Sequence, residues 1–246
     1  MKTLHSSYRK LLVSIPKIKQ YFDVFFLTLP NEKFELVGFS KNISEDYPLL
    51  IIMAGCHGEE PAPSLSIFKN YKIISEAAEK HHVNLVIYPL MNPWGFDRNK
   101  RRNREDLNCN SNWIHKDEDR TAIEVETVSK NIKKYKPSFF ASIHEDDEVK
   151  NEFYMYSFGD RKYENSLIKI GAKYFPVLKD GKHCDVNVKA GVVYNGHDGS
   201  AEDFMYHRGC KFSCCTETPS SQLLSKRMKC CIDLIVKLIE LSGNKK

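Results

Sequence analysis

A chain of 246 residues, 41% hydrophobic and 28% charged, can bury a sizeable core and fits one α/β domain spanning residues 1–246. The formal net charge of +5 is modest, and the one basic run, Arg98 to Arg104 (RNKRRNR), reads as a solvated loop without the interleaved aromatics of a nucleic-acid surface. No segment approaches the roughly eighteen consecutive apolar residues of a membrane span, and Tyr8-Arg9-Lys10, Pro16 and Lys17 interrupt any signal-like apolar run, so a cytoplasmic protein with neither a nucleic-acid nor a membrane partner is expected.

In chain order, Leu11, Leu12, Ile15 and Ile18 at helical spacing predict an N-terminal helix. Alternation over 23–29 and 34–40, around Pro30-Asn31, predicts a hairpin at the antiparallel edge of a sheet. The apolar run 49–54 has the character of a buried strand, followed by a helix over 64–80 and a second buried strand over 83–90. After the polar stretch 92–113 come a helix near 121–135 and a strand over 138–143. A strand over 153–158, a helix over 163–174, a glycine-rich loop over 190–203, a last buried strand over 212–216 and a covering helix over 220–241 complete the pattern. The order β-α-β-α-β predicts an α/β fold, a doubly wound, mostly parallel mixed sheet with helices on both faces. Of the eight cysteines, Cys214-Cys215 and Cys230-Cys231 are adjacent pairs inside apolar runs and no C-x-x-C occurs. Buried free thiols are expected, with no disulfide framework or thiolate zinc site.

Ligands of open α/β sheets bind outside the carboxyl ends of the strands. Three predicted strands deliver ionisable residues there: LLIIMAGC leads to His57-Gly58-Glu59-Glu60, SFFASI to His144-Glu145, and FSCCT to Glu217. Two imidazoles and one carboxylate make a catalytic zinc set with a position open for water, and a carboxylate outside that set can act as general base. Glu217 suits the base. For the third ligand, the residues by themselves leave Glu59 and Glu60 open, although Glu60 lets the chain turn back beside His57.

These segments resemble the zinc carboxypeptidase family typified by the pancreatic carboxypeptidases. His57-Gly58-Glu59-Glu60 resembles its H-x-x-E. Asn92-Pro93-Trp94-Gly95, then Arg101 and Asp106-Leu107-Asn108, resembles N-P-x-G…R…D-L-N-R, and His144 matches the third ligand. Tyr194, Gly199-Ser200, Asp203 and Thr216-Glu217 follow the family's order of mobile tyrosine, Gly-Ser loop and catalytic glutamate. The resemblance runs from about Leu49 to the C-terminus. It implies one zinc per chain on His57, Glu60 and His144, Glu217 as general base, Arg101 at the scissile carbonyl and its oxyanion, Asn108 and Tyr194 at the substrate, and hydrolysis of a C-terminal peptide or isopeptide amide without a propeptide. Cys109 departs from it: the family has an arginine there for the substrate carboxylate, and a thiol supplies neither charge nor fork. Arg98, Arg102 or Arg104 would have to replace that charge. Glu202 or Ala201 would shape the specificity pocket. The short Arg101 to Asp106 spacing also resembles the aspartoacylase and succinylglutamate desuccinylase branch, which implies an acyl-amino-acid substrate instead, and Cys109 leaves room for an inactive zinc-binding relative. The sequence does not address oligomeric state.

Overall fold

The computed structural model describes residues 7–114, 120–194 and 196–243. Two short helices, α1 (Tyr8–Leu12) and α2 (Ile15–Ile18), stand where one was expected. Pro16 explains the break, because proline is accommodated only in the first turn of a helix and here opens the second one. The hairpin β1 (Asp23–Thr28) and β2 (Glu35–Lys41) follows, then β3 (Leu49–Ala54), α3 (Pro61–His81), β4 (Asn84–Tyr88), α4 (Pro93–Arg98), α5 (Ile123–Ile132) and β5 (Phe139–Asp146). The second half carries β6 (Tyr154–Gly159), a 3₁₀ turn at Arg161–Tyr163, α6 (Glu164–Gly171), β7 (Gly181–His183), β8 (Val186–Lys189), β9 (Val192–Tyr194), α7 (Ala201–His207), β10 (Phe212–Pro219) and α8 (Leu224–Gly243).

All ten strands join one sheet in the order β1-β2-β4-β3-β5-β10-β6-β9-β8-β7. Its centre, β4-β3-β5-β10, is parallel, and the β1-β2 hairpin forms the expected antiparallel edge. The opposite flank was not anticipated. Val192–Tyr194, expected as loop, pairs in parallel with β6, and β7 and β8 form a hairpin turned by Cys184 and Asp185, both in the left-handed region. Strands of three and four residues are too short to show a two-residue period.

Alternate residues of each central strand serve opposite faces. Leu50, Ile52, Ala141, Ile143, Phe212 and Cys214 pack under α3 and α8, while Ile51, Met53 and Phe140 pack under α5 and α7. His144 follows Phe140 by two side-chain periods and so points to the α5/α7 side, at the strand's carboxyl end. Among the described residues no helix is long and apolar enough to cross a membrane, and all eight cysteines are free, seven of them buried.

Candidate metal centre and active site

The strand β5 continues through His144 to Asp146, and β10 through Glu217 to Pro219, so both residues belong to the strands and not to loops beyond them. Parallel pairing sets Glu217 directly opposite His144, which places both side chains on one face, a strand spacing apart. The third contribution comes from the turn between β3 and α3. Proline at its first turn lets α3 begin at residue 61, so Glu60 is held at the helix boundary, three residues from His57.

Glycines make that turn possible. A Cβ on Gly58 would stand 2.0 Å from the Gly95 carbonyl carbon, and one on Gly95 would stand 2.4 Å from the Asn92 side chain. The two backbones therefore touch, and the Gly58 amide donates to the Lys100 carbonyl at 3.0 Å. Asn92 accepts from the Gly95 amide (2.8 Å) and donates to the Arg101 carbonyl (3.1 Å). The Asn-Pro-Trp-Gly segment thus acts as a bracket that carries Arg101 to the acidic turn.

His57, Glu60 and His144 are buried and their ligand atoms lie within 4.8 Å of one another. Nδ1 of His57 is 2.5 Å from one Glu60 oxygen and Nδ1 of His144 is 2.9 Å from the other. The second oxygen also accepts from the Glu145 amide at 3.1 Å. On its far side the His57 ring meets the Asn108 side-chain oxygen at 3.0 Å, and that same oxygen accepts from the Asn110 amide at 2.8 Å. A side-chain amide oxygen has no hydrogen to give, so Nε2 of His57 donates to Asn108 and Nδ1 is the ring atom that faces Glu60. Both Nδ1 atoms and both Glu60 oxygens therefore converge on one small volume, a donor set that can hold either protons or a divalent cation. Two imidazole nitrogens and a carboxylate suit zinc.

The charges respond accordingly. Burial pushes the Glu60 carboxyl up, but His57 and His144 beside it outweigh burial and hold it well below the usual carboxylate range. Burial lowers His144, and Glu60 more than reverses this, leaving it well above an ordinary histidine. Glu217 is pushed up to about 8, chiefly by burial, with His144 opposing. One Glu217 oxygen is buried without a hydrogen-bond partner among the described residues; the other accepts from the Cys215 thiol at 3.4 Å. A carboxylate so poorly solvated, near an electropositive site, has the character of a general base.

A cleft of about 290 Å³ is lined by Glu60, Arg101, Glu217, Asp146, Tyr154, Tyr156 and neighbouring residues. Arg101 stands half-exposed at its edge, with Nη1 3.3 Å from Glu60 and 3.5 Å from Glu59. The other expected residues divide. Asn108, expected at the substrate, has its side-chain oxygen on His57. Tyr194 has its hydroxyl on Glu164 at 2.9 Å and its ring under Arg161, with no contact to the histidine pair. Asn195, beside it, lies outside the described residues. Of the two residues expected at a specificity pocket, Ala201 belongs to the α7-side core, and Glu202 is buried, accepting from Ser142 at 3.0 Å.

Cys109 is fully buried against Trp113, not in the cleft. The basic run does not replace its missing charge, because Arg98 stacks on Trp94, Arg102 pairs with Asp106 and Arg104 pairs with Glu32. Tyr154 and Tyr156 were not among the residues expected at the site. They share the face of Glu217 because β6 pairs antiparallel with β10, Tyr154 opposite Glu217. Their two-residue spacing was visible, but their neighbour was not.

Comparison with known proteins agrees with this arrangement. Residues 46–146 match the model of the succinylglutamate desuccinylase/aspartoacylase catalytic domain. A metallopeptidase candidate from Shewanella baltica superposes with a TM-score of 0.85 at 24% identity, over 95% of this chain and 91% of the other. A metallo-carboxypeptidase from Burkholderia cenocepacia gives 0.71 at 17%, over 95% and 68%, and one from Pseudomonas aeruginosa, in complex with (2-guanidinoethylmercapto)succinic acid, gives 0.72 at 15%, over 97% and 70%. The fold is metallo-carboxypeptidase-like. No curated protein matches the sequence. The metallo-carboxypeptidase-like fold carries the His57, Glu60 and His144 set and Glu217 at the carboxyl ends of its central strands, where sheets of this kind place their sites.

Proposed function

We propose that the chain is a zinc-dependent hydrolase that cleaves a C-terminal peptide or isopeptide amide bond. The observation that carries this reading is the registry of Glu217 against His144, which sets an under-solvated carboxylate beside the convergent Nδ1 atoms and Glu60. Zinc held by His57, Glu60 and His144 would act as a Lewis acid on water and on the scissile carbonyl. Glu217 takes the proton from water as its oxygen adds to the carbonyl carbon, then delivers that proton to the nitrogen as the carbon–nitrogen bond breaks. Arg101, at the edge of the cleft, donates to the oxygen on which charge develops. Asn108 keeps His57 in the tautomer that presents Nδ1.

The match of residues 46–146 to the desuccinylase/aspartoacylase catalytic domain favours a second reading, hydrolysis of an N-acyl amino acid by the same groups. Zinc content and chelator-sensitive release from C-terminal peptides and from N-acyl amino acids test both readings. Glu217→Gln should abolish release and retain zinc. Full turnover by Glu217→Gln, or a wild-type protein that holds no zinc, would overturn the proposal.

A further inference from the structure

A second donor cluster lies on the far side of the Gly-Ser turn. His197 precedes α7, Asp203 sits in its first turn and His207 is its last residue, four positions on and therefore on the same helix face. Asp203 is buried, at 2% exposure, while the two imidazoles reach solvent. One Asp203 oxygen is 2.7 Å from Nδ1 of His197 and 3.4 Å from Nε2 of His207; the other accepts from the Gly199 amide at 3.1 Å. The ligand atoms of all three residues lie within 4.8 Å of one another. His197 is held in place by ring contacts to Phe158, Tyr206 and His207 at 5.4, 6.1 and 5.5 Å between centroids.

Two imidazoles that converge on one carboxylate oxygen ordinarily satisfy it with protons, one N–H each. A divalent cation can replace those protons and bind all three donors, and exposure of both rings leaves its remaining positions to water. We propose that His197, Asp203 and His207 form a second, exchangeable site for a zinc-class divalent cation. Imidazole donors select zinc, cobalt, nickel or copper over magnesium and calcium, which prefer all-oxygen shells. None of the three residues lines the cleft of Glu60 and Glu217, so the site is independent of the reading given above. An ion there ties the segment 196–199, which follows Tyr194, to α7.

The test uses the full chain and zinc alone. Elemental analysis and calorimetric titration are made on wild type, on His197→Ala/His207→Ala, on His57→Ala/His144→Ala and on the variant combining all four changes. Asp203 is left intact because its carboxylate holds the Gly199 amide. Wild type should take up about two ions per chain, each double variant about one, and the fourfold variant none. Zinc should also raise the melting temperature of His57→Ala/His144→Ala but not of the fourfold variant. Equal stoichiometry in wild type and His197→Ala/His207→Ala, or equally tight binding of magnesium to His57→Ala/His144→Ala, would overturn the proposal. Loss of zinc from the His57 site alone would bear on the hydrolase reading and leave this one standing.

Discussion

Replacing Arg227 by alanine should destabilise the protein by up to about 3–5 kcal/mol at alkaline pH, where Glu145 is ionised, the range for stripping one partner from a buried ion pair. Arg227, on α8, is 8% exposed and Glu145 2%. The guanidinium binds one Glu145 oxygen through Nη1 and donates from Nε to the Gln222 carbonyl at 2.8 Å. The other Glu145 oxygen accepts from the Ala62 amide at 2.7 Å, at the start of α3. Without Arg227 that single amide bond is all that faces a buried negative charge. The penalty should shrink as pH falls, since burial already raises the Glu145 carboxyl against the pull of Arg227, and protonation removes the uncompensated charge. Because the Glu145 amide also orients Glu60, zinc affinity should drop about 10- to 100-fold. Urea denaturation of metal-free protein at two pH values, with a chelator-competition assay alongside, measures both effects. The double change Glu145→Leu/Arg227→Met should recover most of the stability. A single variant within about 0.5 kcal/mol of wild type, or a double variant no better than the single, would refute the reasoning.

Asn108→Ala removes the acceptor that sets the His57 tautomer and should weaken zinc binding about 10- to 100-fold, read by competition with a chromogenic chelator. Glu217 has a folded-state pKa raised to about 8, so its contribution to the stability of metal-free protein is present below the unfolded value near 4.5 and is lost as pH rises through 8. Metal-free Glu217→Gln should therefore gain stability relative to wild type across that window in pH-dependent denaturation, and a difference independent of pH would contradict the assignment. Tyr194→Phe leaves a Glu164 oxygen without its donor and should cost about 1 kcal/mol by thermal or urea unfolding.

The fold class and the candidate donor set were legible in the sequence because both depend on local pattern. Apolar runs such as 49–54 mark buried strands whatever their neighbours, and the three-residue spacing of His57 and Glu60 sits in a turn set by Gly58 and Pro61. The resemblance to the zinc carboxypeptidases favoured Glu60 over Glu59, and in the structure Glu60 stands between the two histidines, with Arg101 beside both glutamates.

What the sequence by itself determined is the order of elements and the supply of donors at strand ends, since backbone period and side-chain chemistry are properties of short segments. Only the tertiary structure decided which donors meet. The pairing of β6 with β10 brings Tyr154 and Tyr156 to Glu217, and the core packing puts Cys109 beside Trp113, outside the cleft. The packing of α7 against β5 buries Glu202 and sets its carboxylate on Ser142. The placements of Tyr154 against Glu217 and of Glu202 against Ser142 join residues about 60 positions apart. No local pattern encodes them, because they are chosen by burying one shared core and not by the preferences of any single segment.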